Sequence, residues 1–404
     1  MVNQKELDAF YSIDNLVTLN IKMQKWDDLR KASPRGGFGF KEIQTSSGWL
    51  GRYDWMTAES VSISGSKFLT TPRTFNNVPI IKKSYGGSRS ETKPSFKLNF
   101  GKGADGATVE QLIGTKELTL NNCKQDPAFV RQPFGYQLFQ KAGVPAFRCN
   151  FAKVTVNGAD VGVFVNLESF KKPFLERNFT TSKGNAYEVE YAPGLGSNLT
   201  IDQGNVNFEG SPDPKADPGD VHVASTTIAS MGVTGAAFVL DMDEFIKFTA
   251  MESLLKHWDG YTQQMNNTYL YNDKHPATTS PPKVVDVKIK FIPSGIDQIL
   301  QDPAHEGRAA FHIGDKFNVT QLMMQHADWR KMLFDQIRKY ANELFSPAKV
   351  DGELKAALDG MEKTLTAAGA RPMESSDSLN VAIAKVREQV RQVRQSAINV
   401  VGAS

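Results

Sequence analysis

The sequence predicts an α+β protein, with strands in its first half and helices in its C-terminal part. Apolar residues alternate with polar ones at Val17, Leu19 and Ile21, which is the period of a half-buried strand. Near the other end, apolar residues recur at the spacing of an amphipathic helix. The three stretches with that spacing are 328–345, 351–368 and 377–401.

The elements between these ends follow the same rules. Alternation predicts strands over 96–100 and 117–121, and Asn157-Gly158 between two valine-rich runs is a hairpin signal. Asp126 is a suitable N-cap for a helix that ends near residue 143. Because Pro133 lies inside that stretch, we expect it to kink or split the helix. Residues 192–223 are rich in Gly and Pro and predict a long surface loop or lid.

Composition excludes several classes of protein. The chain has 404 residues, is 40% hydrophobic and has a net charge of +3, so it is a globular protein with little electrostatic attraction for nucleic acid. It has no apolar run long enough to span a membrane. The polar N-terminus lacks the apolar core of a signal peptide, which leaves a cytoplasmic location or a removed secretion signal open. Cys123 and Cys149 are expected to be free, buried thiols.

Three polar residues follow one another in an order that suits phosphoryl transfer. Asp259 follows a helix predicted over 243–257, and Asn267 begins a strand. A second strand is predicted over 285–291, and Asp297 follows it after a glycine-containing break. A protein kinase uses the same order of a base Asp, a metal-binding Asn and a second metal-binding Asp. Carboxylate and amide oxygens are hard ligands that suit Mg²⁺.

Short motifs in a fixed order resemble the spore coat protein H (CotH-type) family of atypical protein kinases, over roughly residues 15 to 400. The matching segments are GGSR at 86–89, KPSFKLNF at 93–100, LTLNN at 118–122, DPAFVR at 126–131, VNG at 156–158, GVFVNLE at 162–168, GNAY at 184–187, DGY at 259–261, NTYLY at 267–271 and GIDQ at 295–298. One departure is Ser294, where many relatives have Trp.

The resemblance implies a protein-kinase-like two-lobed fold, with a mostly β N-terminal lobe and a largely helical C-terminal lobe. It implies a nucleotide-binding lobe over 1–190, a catalytic core over 191–300 and a helical part over 301–404. It also implies an enzyme that binds ATP with Mg²⁺, or Mn²⁺, and phosphorylates Ser or Thr of a protein substrate.

The resemblance also assigns roles to residues. Asp259 corresponds to the catalytic base, Asp297 to a metal ligand and Asn267 to a second metal ligand. Either Lys93 or Lys97 would contact the phosphates, and strand alternation favours Lys97, which lies opposite Phe96, Leu98 and Phe100. Glu168 and Arg131 are candidates for holding that lysine or the nucleotide.

Plainer interpretations remain for each motif. An Asp-Gly pair is often only a turn, and any edge strand can carry an outward lysine. The same ATP site could also transfer AMP, support a glutamylation-type ligation or act on a small molecule, because a fold does not fix a reaction. A non-catalytic coat or surface adhesion protein with this fold is the remaining alternative.

Overall fold

The chain forms two compact units. The computed structural model describes residues 3–37, 43–45, 48–103, 105–189, 206–210, 217–274, 281–302, 311–314 and 318–402. The first unit consists of Met1–Phe134, Phe147–Arg177 and Ala356–Lys385, and the second of Gly135–Ala146, Asn178–Lys355 and Val386–Ser404.

The strands are numbered here in chain order. They are β1 Val17–Lys22, β2 Ile43–Thr45, β3 Gly48–Leu50, β4 Met56–Gly65, β5 Arg73–Lys82, β6 Phe96–Asn99, β7 Glu117–Asn121, β8 Cys149–Val156, β9 Ala159–Leu167, β10 Ala186–Val189, β11 Val206–Gly210, β12 Thr268–Asn272 and β13 Ile289–Pro293.

The helices are numbered in the same way. They are α1 Gln4–Phe10, α2 Trp26–Lys31, α3 Gly106–Ile113, α4 Arg131–Lys141, α5 Lys172–Asn178, α6 Asp220–Val239, α7 Met242–Leu254, α8 Tyr261–Gln264, α9 Asn318–Gln325, α10 Ala327–Glu343, α11 Pro347–Lys349, α12 Lys355–Ala367 and α13 Leu379–Val401, with a π-helical turn over Val350–Leu354.

A closed β-barrel dominates the first unit. Its strand order is β1-β4-β5-β6-β7-β9-β8, and it closes where β1 pairs in parallel with β8, with Val17 opposite Ala152. The alternating apolar residues of these strands meet inside the barrel and form one buried cluster that includes Phe96 and Leu98. Lys97 lies between those two residues and therefore belongs to the outer face of β6.

The β8–β9 hairpin has the turn predicted from the sequence. Asn157 and Gly158 both have positive φ, 51° and 83°, which is the backbone of a type I′ turn that matches the twist of its strands. Neither Cys123 nor Cys149 forms a disulfide, and both are buried, as expected.

Helix α4 begins later than the sequence predicts. Asp126 does act as a cap, accepting the backbone N–H of Ala128 at 3.1 Å and of Arg131 at 2.9 Å. However, Phe129 has a φ of 62°, so the helix starts only at Arg131. Pro133 then falls in the first turn, where its missing N–H costs no intrahelical bond, and the predicted kink is wrong.

The second unit combines a four-stranded sheet with helices. The strand order is β11-β10-β12-β13, and β12 pairs antiparallel with β13. Phe245 of α7 packs against Phe291 of β13 with ring centroids 4.6 Å apart, and Tyr261 lies 4.8 Å from Phe291. These aromatic contacts fix the first turn of α7 and the start of α8 against the sheet.

The predicted fold class is confirmed as α+β, with a β-rich N-terminal half and a helical C-terminal half. The three predicted C-terminal helices are present as α10, the segment from Val350 through α12, and α13. The strand predicted over 285–291 lies instead at Ile289–Pro293, after a short 3₁₀ turn at Val284–Asp286.

The predicted loop over 192–223 contains regular structure. Strand β11 lies within it, and α6 begins at Asp220, so it is not a single unstructured stretch. Its other parts at 192–205 and 211–216 lie outside the described residues. The predicted division into a nucleotide-binding lobe at 1–190, a catalytic core at 191–300 and a helical part at 301–404 remains a prediction. The two compact units divide the chain at other positions.

Candidate active site

The loop from α7 to β12 carries Asp259 and has an unusual backbone. Helix α7 begins at its N-cap Asp241, whose side chain accepts the N–H of Glu244, and it ends at Leu254. Lys256, Met265 and Asn267 then adopt positive φ values of 54°, 48° and 49°. Non-glycine residues avoid this region, so three of them within twelve positions indicate a loop whose path is fixed by its surroundings.

Glu252 is the group that anchors this loop. Its buried carboxylate accepts the backbone N–H of Tyr261 at 3.2 Å and of Thr262 at 3.0 Å, the first two residues of α8. His257 Nδ1 lies 3.0 Å from the same carboxylate. Residues on both sides of Asp259, namely His257 and Tyr261, thus contact the side chain of Glu252. That side chain caps α8 as an N-cap residue would.

Gly260 allows the loop to lie this close to its anchor. A Cβ atom at this position would lie closer to Glu252 Oε1 and His257 Nδ1 than real Cβ atoms approach other atoms. Any larger residue would push the loop away from α7. Glycine is therefore required at this position by close packing and not by the backbone conformation, because any residue could adopt the φ of −89° that Gly260 has.

Two asparagine amides hold the carboxylate of Asp259. Asn266 Nδ2 donates to Asp259 Oδ1 at 3.1 Å, and Asn267 Nδ2 donates to Asp259 Oδ2 at 2.9 Å and to its backbone oxygen at 3.0 Å. Strand β12 begins only at Thr268, so neither asparagine serves merely to start it. Because both amide nitrogens face oxygen atoms, Oδ1 of Asn267 points away from Asp259.

The segment that carries Asp297 packs on Asn267. Ser294 N donates to the backbone oxygen of Asn267 at 2.9 Å, just beyond the pairing of Thr268 with Pro293. Gly295 has a φ of 54°, and a Cβ there would collide with Asn267 Oδ1. Asp297 follows in a one-turn 3₁₀ helix and is buried. The structure thus places Asp259, Asn267 and Asp297 at one end of the β12–β13 pair.

These side chains offer the oxygen atoms that Mg²⁺ prefers. Asn267 Oδ1 and the Asp297 carboxylate are hard ligands, and Mg²⁺ usually takes only one or two carboxylates from a protein. Within the described ranges, no three His, Cys, Asp or Glu side chains converge into a metal-binding group. One carboxylate and one amide oxygen would suit a cation that is shared with phosphate oxygens.

Lys97 of the first unit has a carboxylate partner. Its ammonium lies 3.3 Å from Glu117 Oε2 on the neighbouring strand β7, and Asn99 Nδ2 donates to the other oxygen of Glu117 at 2.8 Å. Burial lowers the pKa of Lys97, while Glu117 raises it. Glu117 thus holds this lysine in place and offsets part of the lowering of its pKa by burial.

Lys93 is enclosed by neutral groups. Its ammonium donates to the backbone oxygens of Asn122 at 2.9 Å and Val163 at 2.5 Å. It also lies over the rings of Phe129 and Phe164, at 4.9 Å and 4.7 Å from their centroids. Burial lowers the pKa of Lys93 to about 8.

Glu168 and Arg131 have charged partners of their own. Glu168 forms ion pairs with Arg148 and Arg177, each at 2.8 Å, and its role toward the lysine or the nucleotide stays a prediction. Arg131 lies 3.2 Å from the carboxylate of Asp126. Both pairs are largely buried, so their removal would leave a buried charge without its partner.

The sequence as a whole matches a known family. The family model described as "CotH kinase protein" matches residues 83–395, which is more than half of the chain. The chain belongs to the CotH kinase family. Membership implies a kinase-like fold and the use of a nucleotide, as the resemblance predicted.

Individual relatives of this family member are distant. An inner spore coat protein H-like protein of Bacillus subtilis (strain 168) is 32% identical over 60 residues, which is 15% of this chain and 20% of that protein. The crystal structure of the Helicobacter pylori proinflammatory kinase CtkA aligns with 76% of this chain and 92% of its own, at 10% identity and a TM-score of 0.31. No helix among the described residues is long and apolar enough to cross a membrane.

Sequence reasoning missed Glu252 and Glu117. Glu252 could be found in principle, because a carboxylate on the buried side of an apolar helix needs a partner. Glu117 gave no such signal, because its contact with Lys97 depends on the register between β6 and β7.

Proposed function

We propose that this CotH family member is an ATP- and Mg²⁺-dependent protein kinase that transfers phosphate to Ser or Thr of a protein substrate. The observation that carries the proposal is the contact of Asp259 with Asn267, next to the turn that bears Asp297. This is the order of base, amide ligand and acidic ligand that phosphoryl transfer uses. The choice of Ser or Thr rests on the family resemblance.

In this proposal Asp259 orients the acceptor hydroxyl and takes its proton as the new phosphorus–oxygen bond forms. The bond from the γ-phosphorus to the bridging oxygen breaks in the same step, and ADP leaves. The amides of Asn266 and Asn267 keep the carboxylate in one orientation, so little reorganisation is needed. General-base assistance of this kind contributes on the order of 10²–10⁴ in rate.

Asn267 Oδ1 and Asp297 would hold Mg²⁺, which when bound offsets the charge of the phosphates. We propose Lys97 as the lysine that contacts the phosphates, because its head group is oriented by the carboxylate of Glu117. Lys93 is the second candidate. We propose that Glu168 and Arg131 act through the structure of the nucleotide-binding lobe, where each is paired.

The experiment that tests the proposal is intact-mass spectrometry of the chain, with and without a generic Ser/Thr acceptor protein, after incubation with ATP and Mg²⁺. Added phosphate that depends on Asp259 supports a kinase. Added AMP would assign the same site to nucleotidyl transfer, and glutamate-dependent addition would assign it to ligation. No added mass, together with no ATP binding, would favour a non-catalytic coat or adhesion protein.

A further inference from the structure

A basic cavity lies beside the β8–β9 hairpin in the first unit. Its volume is about 440 Å³. We call it the hairpin cavity, and its walls are formed by Lys93, Lys153, Asp160, Val161, Gly162, Val163, Gly369, Arg371 and Met373. None of these residues belongs to the group around Asp259.

Lys93 forms the inner wall of the hairpin cavity. An ammonium has three N–H groups, and the backbone oxygens of Asn122 and Val163 accept two of them. These oxygens and the adjacent ring faces carry only partial negative charge. Gly162 lies against the lysine, since a Cβ there would be in van der Waals contact with Lys93 Cε at 3.5 Å. Within the described part of the chain, a third N–H therefore remains on a cation that is nearly enclosed.

The outer wall adds two more cations and one carboxylate. Lys153 Nζ lies 2.6 Å from Asp160 Oδ2 across the hairpin. Lys153 lowers the pKa of Asp160, and the nearby Arg371 lowers it further, so this carboxylate is ionised at neutral pH. Arg371 is exposed at the surface. Three cations face one carboxylate, and the cavity wall is left with an excess of positive charge.

We propose that the hairpin cavity binds a phosphate group, carried either by inorganic phosphate or by a phosphorylated side chain. The guanidinium of Arg371 offers paired N–H donors that match phosphate oxygens, and Lys153 adds a compact charge. Lys93 supplies a fixed donor at the base of the cavity. A phosphate dianion balances the excess charge, whereas a carboxylate would balance less of it.

Replacing Asp160 distinguishes phosphate binding from a purely structural role for Lys153, Asp160 and Arg371. If Asp160 only stabilises the hairpin through Lys153, its removal weakens the fold and leaves phosphate affinity unchanged. If a phosphate occupies the cavity, Asp160 repels it and competes for Lys153. Asp160→Asn should then tighten phosphate binding, which is the opposite of what loss of a binding residue does.

The test is calorimetric titration of the full chain with inorganic phosphate, at constant ionic strength and with chelator present. A serine-containing peptide and its phosphoserine form are titrated in the same way to distinguish the two sources of phosphate. Arg371→Met and Lys153→Met should each weaken binding by about tenfold or more, since hydrogen bonds to charged groups are involved. Arg391→Met, which removes an exposed arginine paired with Glu388, is the matched control and should change nothing.

Two results would overturn the proposal. One is an affinity that does not respond to Arg371→Met, Lys153→Met or Asp160→Asn. The other is loss of phosphate binding in Lys97→Met, which would assign the phosphate to the nucleotide site. Because Lys97→Met should weaken nucleotide binding and spare the hairpin cavity, failure of the proposed kinase activity would be seen separately.

Discussion

Replacing Glu252 by Gln should release the loop that carries Asp259. A carboxylate presents two acceptor oxygens, whereas a carboxamide of the same shape presents only one. If the amide oxygen takes the place facing Tyr261 and His257, the N–H of Thr262 then faces an NH₂ group. The other orientation leaves the N–H of Tyr261 without its acceptor.

The size of the effect follows from these contacts. One buried donor left without an acceptor costs about 1–3 kcal/mol, and the remaining bond loses its charged acceptor. We therefore expect a loss of about 2–4 kcal/mol in the free energy of unfolding of the second unit. For a unit of this size that lowers Tm by about 4–16 °C, at about 2–4 °C per kcal/mol. A displacement of about 1 Å at Asp259 would reduce kcat by about 10²-fold.

The assay combines a thermal melt with steady-state kinetics in the proposed kinase reaction. Glu252→Gln should lower kcat by more than it raises the KM for ATP, because Glu252 anchors the residues next to Asp259, whereas Asp297 and Lys97 lie on other segments. Glu244→Gln, which alters a buried carboxylate at the other end of α7, is the control and should change stability without changing kcat. A variant that melts earlier but keeps the kcat of the wild type would refute the positioning role.

The other predictions concern the ligands, the lysines and pH. Asp259→Ala should keep nucleotide binding and lose transfer, measured by calorimetry and phosphate incorporation, and unchanged specific activity would make it a turn residue. Asp297→Ala should abolish metal-dependent ATP binding; equal ATP affinity in chelator and in Mg²⁺, for wild type and variant, would contradict the metal site. At saturating ATP, Lys97→Met should lower the rate more than Lys93→Met, and the reverse order would assign the phosphates to Lys93. Burial raises the pKa of Glu244 to about 8, above its usual value of about 4.3, so the folded unit keeps a proton that the unfolded chain releases. Stability should therefore fall as pH rises between about 4.3 and 8, and urea denaturation should show no such fall in Glu244→Gln.

The parts of the fold that depend on residues close together in the sequence could be predicted from it. The β8–β9 hairpin follows from Asn157-Gly158 and its valines, and α13 follows from its apolar stripe. The grouping of Asp259, Asn267 and Asp297 was also accessible, because one short stretch of chain carries all three residues and only two strands separate them.

What could not be predicted depends on contacts between distant residues or on backbone detail. The pairing of Lys97 with Glu117 requires the register of two strands that are separated by a helix. The start of α4 was misplaced because the left-handed backbone of Phe129 delays it, and no side-chain pattern marks that change. The hydrogen bonds of Glu252 to Tyr261 and Thr262 could not be predicted, because the sequence does not show that the chain returns to α7 after Gly260.

The division of the chain into interleaved segments has a consequence for its synthesis. The barrel closes only when β8 reaches β1, which is more than a hundred residues earlier in the chain. Such long-range pairing makes folding slow, because the intervening chain must first be brought together. The segment Ala356–Lys385, which completes the first unit, leaves the ribosome after nearly all of the second. No single cut separates the two units, so each should require the full-length chain to fold, and lobe-by-lobe expression or exchange should fail.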